Sequence, residues 1–105
     1  MPASTRLKDY EKEVITRMNV IWSRLAEERS ALMSEGTAIV HFKVLADGRV
    51  AEVKVVSNTG NQVLADVAIL TVEHTSIPPI PPGTLAELPQ GYMPGDCKFT
   101  VYPPR

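Results

Sequence analysis

Thr37-Ala38-Ile39-Val40-His41-Phe42-Lys43-Val44-Leu45-Ala46-Asp47-Gly48-Arg49-Val50-Ala51-Glu52-Val53-Lys54-Val55-Val56-Ser57 reads as two strands joined by a tight turn. Apolar and polar residues alternate with period two on both sides of Asp47-Gly48, a dipeptide suited to a two-residue hairpin loop. Such a loop pairs Ala38 to Ala46 with Arg49 to Ser57. It sets Val44 opposite Ala51, Phe42 opposite Val53 and Val40 opposite Val55 on one face, with Lys43 opposite Glu52 and His41 opposite Lys54 on the other. The first face is core and the second is mostly wet. The same register leaves two apolar pairs on the wet face, Ile39 with Val56 and Leu45 with Val50. Apolar pairs there call for cover by a loop, a terminus, a partner or a second copy of the chain.

Upstream, Leu7, Tyr10, Val14, Met18, Ile21, Trp22 and Leu25 recur at three- and four-residue steps, with charged residues between them, which predicts an amphipathic helix. It is expected to start near Thr5 or Arg6 and to end after Glu35, where Gly36 supplies a left-handed residue. Downstream, Ser57-Asn58-Thr59-Gly60-Asn61 is a turn, and Asn61 caps a second helix that carries Leu64, Val67, Ala68, Thr71 and Val72 inward and stops near Thr75. Ile77-Pro78-Pro79-Ile80-Pro81-Pro82 is an extended connector, because proline removes backbone donors and biases the preceding residue away from helix. Gly83 to Gly95 reads as a surface loop. Asp96 to Tyr102 then alternates Cys97, Phe99 and Val101 against Lys98, Thr100 and Tyr102, a last strand closed by Pro103-Pro104.

The fold expected from this order is α+β: a two-layer sandwich in the sequence α-β-β-α-β. A right-handed crossover that places the third strand beside the first makes every neighbour antiparallel. The sheet is then three-stranded in spatial order 2-1-3, with two helices on the Val40/Phe42/Val44 face and the third strand at an edge. A chain of 105 residues has room for one domain, 1–105 with its core over about 6–103. Hydrophobic residues make up 44% and charged residues 22%, an ordinary globular balance. The formal net charge of −1, with Lys and Arg scattered along the chain, argues against nucleic acid as a partner. No apolar run approaches the ~20 residues that span a bilayer, and the first residues lack the pattern of a secretory signal.

Few residues point to chemistry. His41 and His74 stand apart from any cysteine or carboxylate at ligand spacing, so no metal is assigned and no cofactor is expected. Cys97, the one cysteine, has inward parity and no histidine placed by sequence to activate it, which marks it as a small buried hydrophobe. Trp22 is a core residue by its step from Met18 and Leu25. With no paired nucleophile and base and no phosphate-cradling loop, an enzyme is not expected.

From about Tyr10 to Tyr102 the sequence resembles the TonB C-terminal domain family, which includes the similar domain at the end of TolA. The resemblance lies in the Tyr10 to Trp22 helix, Gly36 before an apolar strand with an Asp-Gly hairpin, Asn58-Thr59-Gly60-Asn61, Leu64 to Val72, the Ile-Pro-Pro-Ile-Pro connector and the final Phe-containing strand. Ala65, Val67 and Thr71 depart from the family's usual residues and bear on helix packing. The resemblance implies a periplasmic module, a fragment of a longer protein anchored in the inner membrane. Such a module engages an extended peptide of an outer-membrane transporter or another envelope protein.

Strand addition is the physical form of that engagement: an edge strand offers unpaired N–H and C=O groups that a peptide satisfies. Glu52 and Lys54 guard the second strand. The edge expected to accept a partner is therefore Cys97, Lys98, Phe99, Thr100, Val101 and Tyr102, with Lys98 favouring acidic flanking residues and Tyr102 packing on partner side chains. Alternative uses of the same domain are self-association into a dimer through that strand and a general envelope scaffold.

Overall fold

The computed structural model describes residues 4–103. A 25-residue helix, α1 (Ser4–Glu28), leads through a 3-10 turn (Ser30–Leu32) into strand β1 (Gly36–Leu45) and its hairpin partner β2 (Val50–Asn58). Helix α2 (Gln62–His74) comes next, then a one-turn helix α3 (Pro82–Leu85) and strand β3 (Tyr92–Val101). The sheet is antiparallel in the order β2-β1-β3. This is the expected α+β fold, with α1 and α2 layered on one face.

The core lies where the hairpin pattern puts it. Val40, Phe42 and Val44 of β1 meet Val14 and Met18 of α1, Leu64, Val67, Ala68 and Val72 of α2, and Cys97 and Phe99 of β3, all buried. Trp22 packs against Phe99 with ring centroids 4.9 Å apart. The helix cap is also as expected: the Asn61 carboxamide oxygen accepts the Leu64 N–H at 3.1 Å.

Several expectations are corrected. Helix α1 stops at Glu28 rather than Glu35, with no basic residue in its last turn to meet the helix dipole. The segment between α1 and β1 is held against the 58–61 turn instead. Asn61 Nδ2 donates to the Leu32 C=O at 2.9 Å, and the Asn61 N–H donates to Ser34 Oγ at 2.8 Å. Gly36 opens β1 with φ 148°, and a Cβ there would lie 2.6 Å from Gly60 N, so its role is close approach of two backbones.

The hairpin loop has three residues, not two. Leu45 N–H donates to Arg49 C=O at 2.8 Å and Gly48 N–H to Leu45 C=O at 2.9 Å, with Gly48 at φ 92°, a turn followed by a left-handed glycine. Two bulges in β2 then reset its register. Val40 faces Val55 and His41 faces Lys54 as expected, but Val44 faces Val50 and Lys43 faces Ala51. Val50 consequently packs on the core instead of the wet face. Ile39 faces Ser57, leaving Val56 45% exposed.

Pro82, expected to end the extended connector, instead begins α3, because proline suits the first position of a helix. The stretch expected to be a loop is partly regular: Thr84 and Leu88 are buried, and β3 starts at Tyr92, four residues before Asp96. The Ile77 to Pro81 connector is clamped from three sides. Tyr10 Oη donates to the Pro78 C=O at 2.7 Å, an Arg17 guanidinium N–H donates to the Ser76 C=O at 3.2 Å, and Ile80 N–H donates to the Ala46 C=O at 3.0 Å.

Candidate strand-addition edge

The sheet has two outer strands, and they differ in regularity. Strand β3 pairs with β1 through ten consecutive residues without a break, from Gly36 with Val101 to Leu45 with Tyr92. Strand β2 carries two register shifts, and Glu52 within it adopts a φ of 52°. Bulges of this kind twist an edge away from further pairing, and the Lys43–Glu52 ion pair at 2.8 Å adds charge beside it.

The outward-facing main-chain groups of β3 can be deduced from the hydrogen bonds of β1. The Thr37 C=O accepts from Thr59 N–H at 3.0 Å and its N–H donates to Thr59 Oγ1 at 2.8 Å; Leu45 likewise bonds on the β2 side. Residues of odd number in β1 thus face β2 and those of even number face β3. Through the unbroken register, Met93, Gly95, Cys97, Phe99 and Val101 turn their backbone groups to β1. Pro94, Asp96, Lys98 and Thr100 turn theirs to the free edge. Pro94 has no N–H to offer, so the outward donors beyond it begin at Asp96.

The residues expected to form the partner edge divide accordingly. Cys97 and Phe99 are buried and Val101 is half-buried, and their main-chain groups belong to the ladder with β1. Lys98 is exposed and Thr100 half-buried, its hydroxyl 3.0 Å from that of Thr37. Tyr102, 79% exposed, stands just past the last ladder pair. Asp96 belongs to the edge although the expected residues begin only at Cys97; its parity with Lys98 is readable in the sequence.

Side-chain chemistry at this edge is modest. The His41 Nε2 lies 3.5 Å from Asp96 Oδ2, with both side chains more than half exposed on the open sheet face. Cys97, nearby in sequence, points to the opposite face, and burial pushes its thiol up to about 11, away from the range of a reactive thiolate. On the wet face Lys43 sits 4.5 Å from the centre of the Tyr92 ring, and the hydrogen bond to Glu52 raises its pKa. Among the described residues no group of three or more His, Cys, Asp or Glu is placed to hold a metal, and no helix is long and apolar enough to cross a membrane.

Comparisons with curated proteins and with solved structures returned no match. Residues 26–89, from the end of α1 through α3, match the family model for the Gram-negative bacterial TonB protein C-terminal domain. That span is more than half of the chain, and the protein therefore belongs to the TonB C-terminal family, whose members are periplasmic protein-interaction domains rather than enzymes.

Proposed function

We propose that this domain receives an extended segment of an outer-membrane transporter or another envelope protein as an added strand along β3, and so couples that partner to an inner-membrane assembly. The family supplies the periplasmic, protein-binding frame and its link to energy-driven transport. The observation that carries the choice of edge is the unbroken ten-residue register of β3 beside a doubly bulged β2. A regular edge presents evenly spaced donors and acceptors, whereas a bulged one interrupts them.

Main-chain pairing makes few demands on partner sequence, which suits a module that serves more than one partner. The outward groups of Asp96, Lys98 and Thr100 are the pairing atoms, with the exposed Tyr102 ring available to a partner side chain. Titrating extended peptides into the isotope-labelled chain tests this. The amides of Asp96, Lys98 and Thr100 are expected to shift most; peptides that bind while leaving those three unchanged would remove β3 from the mechanism.

A further inference from the structure

We infer that the flank of α1 carrying Ile15, Trp22 and Ala26 is a second wall of this edge, and that it receives the apolar side chains of an amphipathic added strand. The inference rests on the strand-addition reading above. Helix α2 packs on β1 and β2, whereas α1 lies on the β3 side of it. At 3.6 residues per turn Ile15, Trp22 and Ala26 fall within about 40° of one another, and Arg17 lies roughly 160° round from Ile15. Arg17 reaches the Ser76 C=O beyond the end of α2, so the Ile15 flank is turned the other way, toward the free side of β3. Its three apolar residues pack on the core and are only half-buried, with the exposed Glu11 and Asn19 at its margins.

Helix and strand run in step. Ile15 lines a cleft with Met93 and Gly95, and Trp22 packs on Phe99; seven helical residues rise about 10.5 Å and four strand residues about 13 Å. Each side chain of an added strand takes the same face as the β3 residue opposite it. Those opposite Asp96, Lys98 and Thr100 lie on the open face, beside polar side chains. Those opposite Cys97 and Phe99 lie on the helix face: the one opposite Phe99 is beside Trp22, and the one opposite Cys97 falls between Trp22 and Ile15. A strand one place beyond β3 sits about 4.8 Å to its side, within the ~5–6 Å that a helix with its side chains extends from its axis. An apolar side chain at either place covers the flank, whereas a polar one gives up water against it.

Trp22, the one tryptophan of the chain, reports on this flank directly. The test uses the full 105-residue chain and two blocked peptides of equal length, one alternating Thr and Val and one of Thr alone, which share β-branched side chains of nearly the same shape. The alternating peptide is expected to bind about threefold more tightly for each Val set against the flank, roughly tenfold for two. It should also shift Trp22 emission to the blue and shield it from acrylamide. The all-Thr peptide should move the Lys98 and Thr100 amides at higher concentration and leave Trp22 emission nearly in place. Ile15→Thr should narrow the gap between the two peptides. Equal affinities, or an unmoved Trp22 emission, with the Lys98 and Thr100 amides shifted would overturn the flank and leave the edge standing. Peptides that shift no β3 amide would overturn the edge and the flank with it.

Discussion

Cys97 shows how one position can be near a functional edge and take no part in it. Its main-chain groups serve the ladder with β1, its side chain is 6% exposed in the core, and burial, with a smaller effect from the Asp96 charge, raises its thiol from 9.0 to about 11. The consequence is a stability contribution that depends on pH. The unfolded thiol ionises first, so the contribution of the neutral buried thiol is complete below pH 9 and is lost as pH climbs toward 11. Urea midpoints of the natural chain and of Cys97→Ala, followed from about pH 8 to 11, should diverge in slope: the natural chain loses its relative advantage above pH 9. Parallel curves would mean that the thiol is more hydrated than its packing indicates.

At the level of elements, alternation along β3 separates substitutions that harm the fold from those that harm only the edge. Lys98→Pro removes an outward N–H and leaves every bond to β1 in place, with Pro94 as a natural precedent in the same strand. It should cost less than about 1 kcal/mol of stability while weakening peptide binding at least roughly tenfold. Phe99→Pro, one residue on, removes an inward donor and a buried ring, and should cost at least about 3 kcal/mol. Thermal melts and peptide titrations of the two variants check the contrast; equal losses of stability would refute the alternation. The inward side chains of β1, α2 and β3, and the Asn61 cap, were legible because periodicity and capping are local signals. The end of α1 was not, because Ser34 and Leu32 are held by Asn61, 27 and 29 residues away. The register of β2 was not either, since a loop of two or three residues around Asp47-Gly48 reads alike and each bulge reverses the parity beyond it. Tyr92 to Gly95 was hidden by Pro94 and Gly95, which resemble a loop until their places at a sheet edge and under Phe42 are seen.

For the whole molecule, the open edge poses the question of why the domain would not satisfy it with a second copy. Pro94 offers no outward N–H, so Asp96, Lys98 and Thr100 form the one run of β3, from Pro94 to Val101, in which two paired strands would have every outward donor in place. Such a contact falls short of the ~1,000 Å² expected of a stable interface, and ordering two whole domains against each other opposes it. A short peptide loses less freedom on pairing than a second folded domain does. The chain should therefore sediment at its monomer mass of 11.5 kDa across micromolar concentrations when no peptide is present. A mass rising with concentration toward twice that value, and falling back in Lys98→Pro, would assign the edge to self-association instead.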